Sequence, residues 1–243
     1  MPDYIVSAPS ITSLTVEGTT ERFPVRRIIC VGRNYAAHAR EMGKDPERDP
    51  PFFFTKPADA AFDAGASDEA QIPYPPETQN FHYEAELTVA IGLGGVGIAD
   101  AAAMDHVLGF CTSIDLTRRD LQLEAREKGR PWDWGKAFDL SAPIGPIVRK
   151  EDAPDLDLRE SAIRLHLDGE VKQDAVLGEL IWSVPEIIST ISHSIELKPG
   201  DLIMTGTPAG VGPIKPGQTM MVEIAGLPDT VLKVTEKRSR SSA

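Results

Sequence analysis

The sequence predicts a mixed α+β fold that is mainly β, and three observations carry that prediction. Short apolar runs that read as strands outnumber amphipathic segments along the chain. Turn dipeptides such as Asp168-Gly169 and Pro199-Gly200 punctuate the second half. No regular alternation of strand and helix appears, so a doubly wound parallel sheet is not expected.

The elements follow in order. Alternation in "SLTVEG" predicts an N-terminal hairpin or extension over residues 1–25. The main domain is expected over 26–230 and a C-terminal tail over 231–243. "RRIICVG" reads as a strand ending at Gly32, followed by a helix over 34–42 with Asn34 as N-cap and Gly43 as its stop. "FFFTK" reads as an aromatic strand, and the proline-rich residues 57–80 read as a long surface loop. Further strands are expected at 84–91, 108–115, 144–148, 163–168, 202–205 and 219–224, with helices at 117–128 and 184–193.

Bulk properties exclude several classes. With 41% hydrophobic and 26% charged residues in 243, the chain has the composition of a globular protein, and no window approaches the ~20 apolar residues of a membrane span. The N-terminus lacks a basic and a continuous apolar region, so the expected compartment is the cytoplasm. A net charge of -12 argues against nucleic acid as a partner. Cys30 and Cys111 sit in apolar strands and read as small core residues rather than redox or metal groups.

The stretch "FHYEAELTVAIGLGGVG", residues 81–97, admits two chemistries. Gly92, Gly94 and Gly97 spell the dinucleotide pattern, and Asp115 lies about where a ribose-binding acid would fall. Against this, Glu84, Glu86 and Thr88 would share one face of the preceding strand, where a dinucleotide fold needs an apolar run and a pyrophosphate would be repelled. The metal reading uses the same alternation. Residues two apart in a strand point the same way, so Glu84 and Glu86 can converge on one ion while Ala85, Leu87, Val89 and Ile91 face the core. With Asp115 as third ligand the set suits Mg2+ or Mn2+.

"GRNYAAHAREMG", "DLTRRDLQ", "GRPWDWGKAFD" and "GDLIMTGTPAGVG", in that order, resemble the fumarylacetoacetate hydrolase family over about residues 27–226, in its acylpyruvate-hydrolysing branch. The resemblance implies a β-sandwich roll with short helices, a homodimer, and a metal triad on Glu84, Glu86 and Asp115. It implies a catalytic His38–Glu41 pair, an active-site Lys136, a substrate-binding Gln122 and a TGTP loop in which Gly206 and Thr207 contact substrate. "GRPWDWGKAFD" and "PPFFFTKPADA" look most like members that cleave fumarylpyruvate to fumarate and pyruvate in gentisate degradation. The distal carboxylate of such a substrate needs a cation, and Arg33, Arg118 and Arg130 are candidates, with Arg130 preferred because it adjoins the branch motif. One departure is "KQDAVLGELIW", where Val176, Leu177 and Gly178 replace polar residues of some relatives, which bears on the substrate lining. Rival expectations are an oxaloacetate decarboxylase or tautomerase, which needs the same enolate chemistry, and a metal-stabilised β-rich binding module without turnover.

Overall fold

The computed structural model describes residues 4–41, 49–67 and 69–237. Its spine is an eight-stranded sheet in the order β4 (Phe52–Lys56), β3 (Arg27–Gly32), β15 (Asp201–Met204), β8 (Ala85–Ile91), β9 (Val107–Ile114), β11 (Ala142–Ile144) and β5 (Ala61–Asp63), with β12 (Val148–Arg149) also paired to β9. A five-stranded sheet runs β14 (Glu170–Val176), β13 (Ala162–Leu167), β17 (Thr219–Ile224), β18 (Thr230–Thr235) and β6 (Ala70–Pro73). A small third sheet joins β10 (Thr117–Arg118), β7 (Phe81–Tyr83) and β16 (Gly212–Pro213), and β1 (Ser13–Thr15) pairs with β2 (Arg22–Pro24) as the expected hairpin. Four short helices complete the described fold: α1 (Ala36–Glu41), α2 (Arg119–Glu127), α3 (Asp133–Lys136) and α4 (Val184–Ser194).

The large sheet is covered on both faces, and strand periodicity sorts its side chains between two cores. Ile29, Val31, Leu87, Val89, Ile91 and Ile203 pack with Ile163 and Leu165 of β13 and Val222 of β17. Ile28, Cys30, Ala90, Leu202 and Met204 face the other way, against Leu14, Val16, Phe23 and Val25 of the hairpin region. Double burial explains why β3 and most of β15 read as apolar runs, while β8 carries Glu86 and Thr88 on one face. Cys30 and Cys111 are fully buried free thiols, and burial pushes both thiol pKa values up, in keeping with inert core residues. Helix α4 buries Val184, Ile187, Ile188 and Ile191 along one stripe, and Glu186 accepts the Ser183 backbone N–H at 2.9 Å to cap its start.

Several local expectations change. Residues 57–80 are not a loop: β5 pairs in parallel with β11 and β6 pairs in parallel with β18. Their partners lie far away in sequence, so no local hairpin signal announces them. The tail expected from residue 231 starts later, because β18 continues to Thr235. The expected helix at 117–128 begins only at Arg119, since Thr117 and Arg118 pair with His82 and Phe81. The strand expected at 144–148 is split into β11 and β12 at Gly145, whose place against Thr230 Oγ1 leaves no room for a side chain. Asn34 does not cap α1; its amide instead bonds both backbone groups of Trp182 and the carbonyl of Thr205, at 2.8–2.9 Å. Residue 42 and the stop proposed at Gly43 lie outside the described residues.

Candidate active site

The site forms at one end of the large sheet, and strand directions put it there. Strands β3 and β15 are parallel, and β8 runs antiparallel to both β15 and β9. The ends of β3, β15 and β9 therefore meet the start of β8. The register that sets Ala85 opposite Ile114 brings Glu84 opposite Asp115, whose N–H donates to the Glu84 carbonyl at 2.8 Å. Glu86 follows two residues on, on the same face. One oxygen from each of Glu84, Glu86 and Asp115 lies within 4.8 Å of the others, and all three residues are buried.

Three buried carboxylates demand compensation, because an unpaired charge out of water is costly. Lys136 Nζ lies 2.7 Å from Glu84 Oε2 and 2.6 Å from Asp115 Oδ2. Arg119 Nη2 lies 2.5 Å from Glu84 Oε1, and Lys56 Nζ lies 3.0 Å from Asp115 Oδ1. Glu86 meets no cation among these pairs; its Oε2 accepts the Gly206 N–H at 2.8 Å. The pKa directions follow. Burial alone would raise Glu84, but Lys136 and Arg119 outweigh it and hold that carboxyl far below the usual range. Burial, reinforced by Asp115 and Glu84, pushes Glu86 well above it. Burial would lower Lys136, yet Asp115 and Glu84 win and raise it.

This donor set fits a divalent cation. Asp115 Oδ1 receives no aligned hydrogen bond despite the nearby Lys56 ammonium, and Glu86 carries a carboxylate that its anionic neighbours disfavour. A hard cation between the three oxygens would relieve both, and oxygen-only donors are what Mg2+ and Mn2+ take.

A cavity of about 210 Å³ opens over the triad. Of the residues singled out in the sequence, Arg33, His38, Gln122, Lys136 and Thr207 line it, together with Phe54, Arg119, Arg126 and Trp132. His38 is buried on α1, and its Nδ1 is 3.1 Å from Glu41 Oε2. Glu41 also accepts the Gly210 N–H at 3.3 Å, which ties the pair to the TGTP loop. With Nδ1 so engaged, Nε2 is the ring nitrogen left for proton transfer.

Other expectations are corrected. Arg130 does not reach the cavity; it is exposed and borders two neighbouring surface grooves, because it follows the end of α2 and the Gly129 turn. Arg118 lines a separate groove with Tyr74 and Trp134, its guanidinium 4.3 Å from the Phe138 ring centre. Gly206 spends its N–H on Glu86 rather than on substrate, and its φ of 103° with Asn34 close by restricts the position to glycine. Lys136 clamps two metal-ligand candidates, Glu84 and Asp115, and also lines the cavity. Thr207 Oγ1 accepts the Gln173 Nε2–H at 2.8 Å, so its own hydroxyl hydrogen stays available to the cavity. Val176 pairs with Ala162 at the end of β14 and Leu177 enters the core, so the segment's departure is not in the cavity lining. Gly92–Gly97 turn the chain between β8 and a short helical stretch, held by Gly95 to Leu197 hydrogen bonds in both directions.

Three contributors escaped sequence reading. Lys56, wholly buried, donates to the carbonyls of Lys136 and Leu116 and to Ser141 Oγ as well as pairing with Asp115. Its signal was the "FFFTK" strand itself, where a lysine ends an aromatic run. Arg119 falls three residues before Gln122 and bonds its Oε1 at 2.5 Å, a helical spacing that could have marked it. Gln173, buried on β14, bonds the Ala85 N–H and the Pro208 carbonyl; no sequence pattern near it points to the site.

Comparison with known proteins gives a consistent picture. Residues 27–235 match the family described as fumarylacetoacetate (FAA) hydrolase C-terminal. A fumarylpyruvate hydrolase structure from Pseudomonas aeruginosa, in complex with Mn2+ and pyruvate, superposes with a TM-score of 0.91 at 48% identity, covering 97% of this chain and 100% of that one. A mitochondrial oxaloacetate tautomerase of Mus musculus is 42% identical over 88% of this chain and 93% of its own length. A mitochondrial oxaloacetate decarboxylase of Dictyostelium discoideum is 41% identical over 83% and 90% respectively.

Proposed function

The chain belongs to the fumarylacetoacetate hydrolase family, and on that premise we propose that it is a divalent-metal-dependent hydrolase of acylpyruvates, with fumarylpyruvate as substrate and fumarate and pyruvate as products. The observation that carries this reading is that a buried carboxylate triad and the buried His38, paired through Nδ1 with the more exposed Glu41, meet at one cavity. A metal supplies Lewis acidity for a 2-oxo acid, and a histidine held by a carboxylate supplies a base.

Glu84, Glu86 and Asp115 would hold Mg2+ or Mn2+, which when bound stabilises negative charge on the oxygen of a 2-oxo carboxylate. The remaining chemistry belongs to side chains. His38 Nε2 takes a proton from water as the water oxygen bonds to the distal carbonyl carbon, and Glu41 keeps the ring oriented and stabilises its cation. The carbon–carbon bond to the pyruvate methylene then breaks, its electron pair leaves as pyruvate enolate, and His38 returns a proton to that carbon. Thr207 donates its hydroxyl hydrogen to substrate oxygen. Lys136, Arg119 and Lys56 offset the charge of Glu84 and Asp115, which leaves Glu86 as the ligand whose charge a bound cation would compensate.

The mouse and Dictyostelium relatives favour a second reading, oxaloacetate tautomerisation or decarboxylation. It uses the same enolate stabilisation and needs no attacking water. Steady-state rates on fumarylpyruvate, acetylpyruvate and oxaloacetate with Mg2+ separate the two: kcat/KM highest for fumarylpyruvate supports hydrolysis, and turnover of oxaloacetate alone overturns it. In this reading the chain works as a homodimer, which light scattering checks.

A further inference from the structure

We infer that Arg126 is the specificity residue that reads the distal carboxylate of a long dicarboxylic acylpyruvate, acting as the far end of a ruler built on α2. This rests on the acylpyruvate reading above and deepens it. Helix α2 presents Arg119, Gln122 and Arg126 at spacings of three and four, which puts them on one face, and all three line the cavity. The near end of that row is fixed: Arg119 bonds both the triad carboxylate Glu84 and the amide of Gln122. The far end is therefore set by helix geometry, with Arg126 about 6 Å beyond Gln122 and about 10 Å beyond Arg119 along the axis.

The length of that step selects a substrate. An extended seven-carbon diacid separates its terminal carboxyl carbons by about 7–8 Å and a four-carbon diacid by about 4 Å, given carbon–carbon bonds near 1.5 Å. A diacid whose 2-oxo carboxylate end sits at the triad reaches Arg126 only if it is the longer one. Arginine suits the task, because its planar fork binds a carboxylate through two parallel hydrogen bonds. The other exposed arginine of the lining, Arg33, lies with its guanidinium 5.0 Å from the centre of the Phe52 ring, and Phe52 is outside the cavity lining. Arg130 faces other grooves.

The test measures kcat/KM for fumarylpyruvate and for acetylpyruvate, which has the same reacting end and no distal carboxylate, in wild type, Arg126→Met, Arg126→Lys and Arg130→Met. In Arg126→Met the fumarylpyruvate-to-acetylpyruvate ratio falls at least about 30-fold, mostly through KM, as expected for one charge-assisted contact. Arg126→Lys restores part of the ratio, and Arg130→Met leaves it within about twofold. Wild-type preference for fumarylpyruvate with an unmoved ratio in Arg126→Met overturns this inference and leaves the hydrolase reading standing. Wild-type turnover of oxaloacetate but of neither acylpyruvate overturns both.

Discussion

The floor and the rim of the cavity are built on opposite principles. On the floor, Glu84, Glu86 and Asp115 are buried, and Lys56, Arg119 and Lys136 are buried with them. Almost every polar atom there has a partner, several have two, and the ion-pair partners come from different elements. At the rim, Arg33 and Arg126 are exposed, and Trp132 is half-buried. A floor of this kind tolerates little change, since each group removed strands another charge out of water. A rim of exposed, long side chains can change at small cost to folding. On the proposed reading, the floor carries the enolate chemistry and the rim the choice of substrate.

The strongest way to break this contrast is at the triad. Asp115→Asn should abolish metal-dependent turnover and weaken Mn2+ binding at least about 100-fold, read by electron paramagnetic resonance of free Mn2+. Undiminished Mn2+ affinity would remove Asp115 from the ligand set. His38→Ala is expected to lower kcat by about 10² to 10⁴ while Mn2+ affinity stays within a few-fold. Loss of metal instead would make His38 a ligand rather than a base.

Lys56→Met tests the floor as structure. It leaves Asp115 short of one cation and the Lys136 and Leu116 carbonyls short of a donor, so a loss of about 3–5 kcal/mol in unfolding free energy is expected. Denaturant titration of metal-free protein measures it, and a loss below about 1 kcal/mol would contradict the role given to this lysine.

The pH dependence is subtler. With its pKa raised in the metal-free protein, Glu86 binds a proton that a metal must displace. Apparent Mn2+ affinity should therefore fall about tenfold for each pH unit below that raised pKa and level off above it. The metal-free Glu86→Gln variant should lose that slope; if the slope persists there, another group carries the proton.

Much of this was legible in the chain because the informative residues obey short-range rules. Glu84 and Glu86 share a face by strand alternation, and His38 and Glu41 share one by helical spacing. Asp115 follows from the end of an apolar run. What escaped depends on long-range pairing. Residues 57–80 become strands only beside β11 and β18, and Gln173 reaches the site only because β14 lies on the second sheet next to the TGTP loop. Arg130 and Arg126 differ by four positions, yet only the helix end at Glu127 and the turn after it decide which one faces the cavity. The resemblance marks Lys136 as an active-site lysine, but its two carboxylate partners come from β9's end and β8's start, which no local pattern announces.

The central claim is that the buried triad and the His38–Glu41 pair together cleave an acylpyruvate. Following the ultraviolet absorbance of enolised fumarylpyruvate, with Mn2+ and with excess chelator, tests it most directly. The account predicts rapid loss of the signal with one pyruvate and one fumarate formed per substrate, and no enzymatic loss under chelation. An undiminished rate under complete chelation, or a signal that stays constant with Mn2+ present, would contradict it.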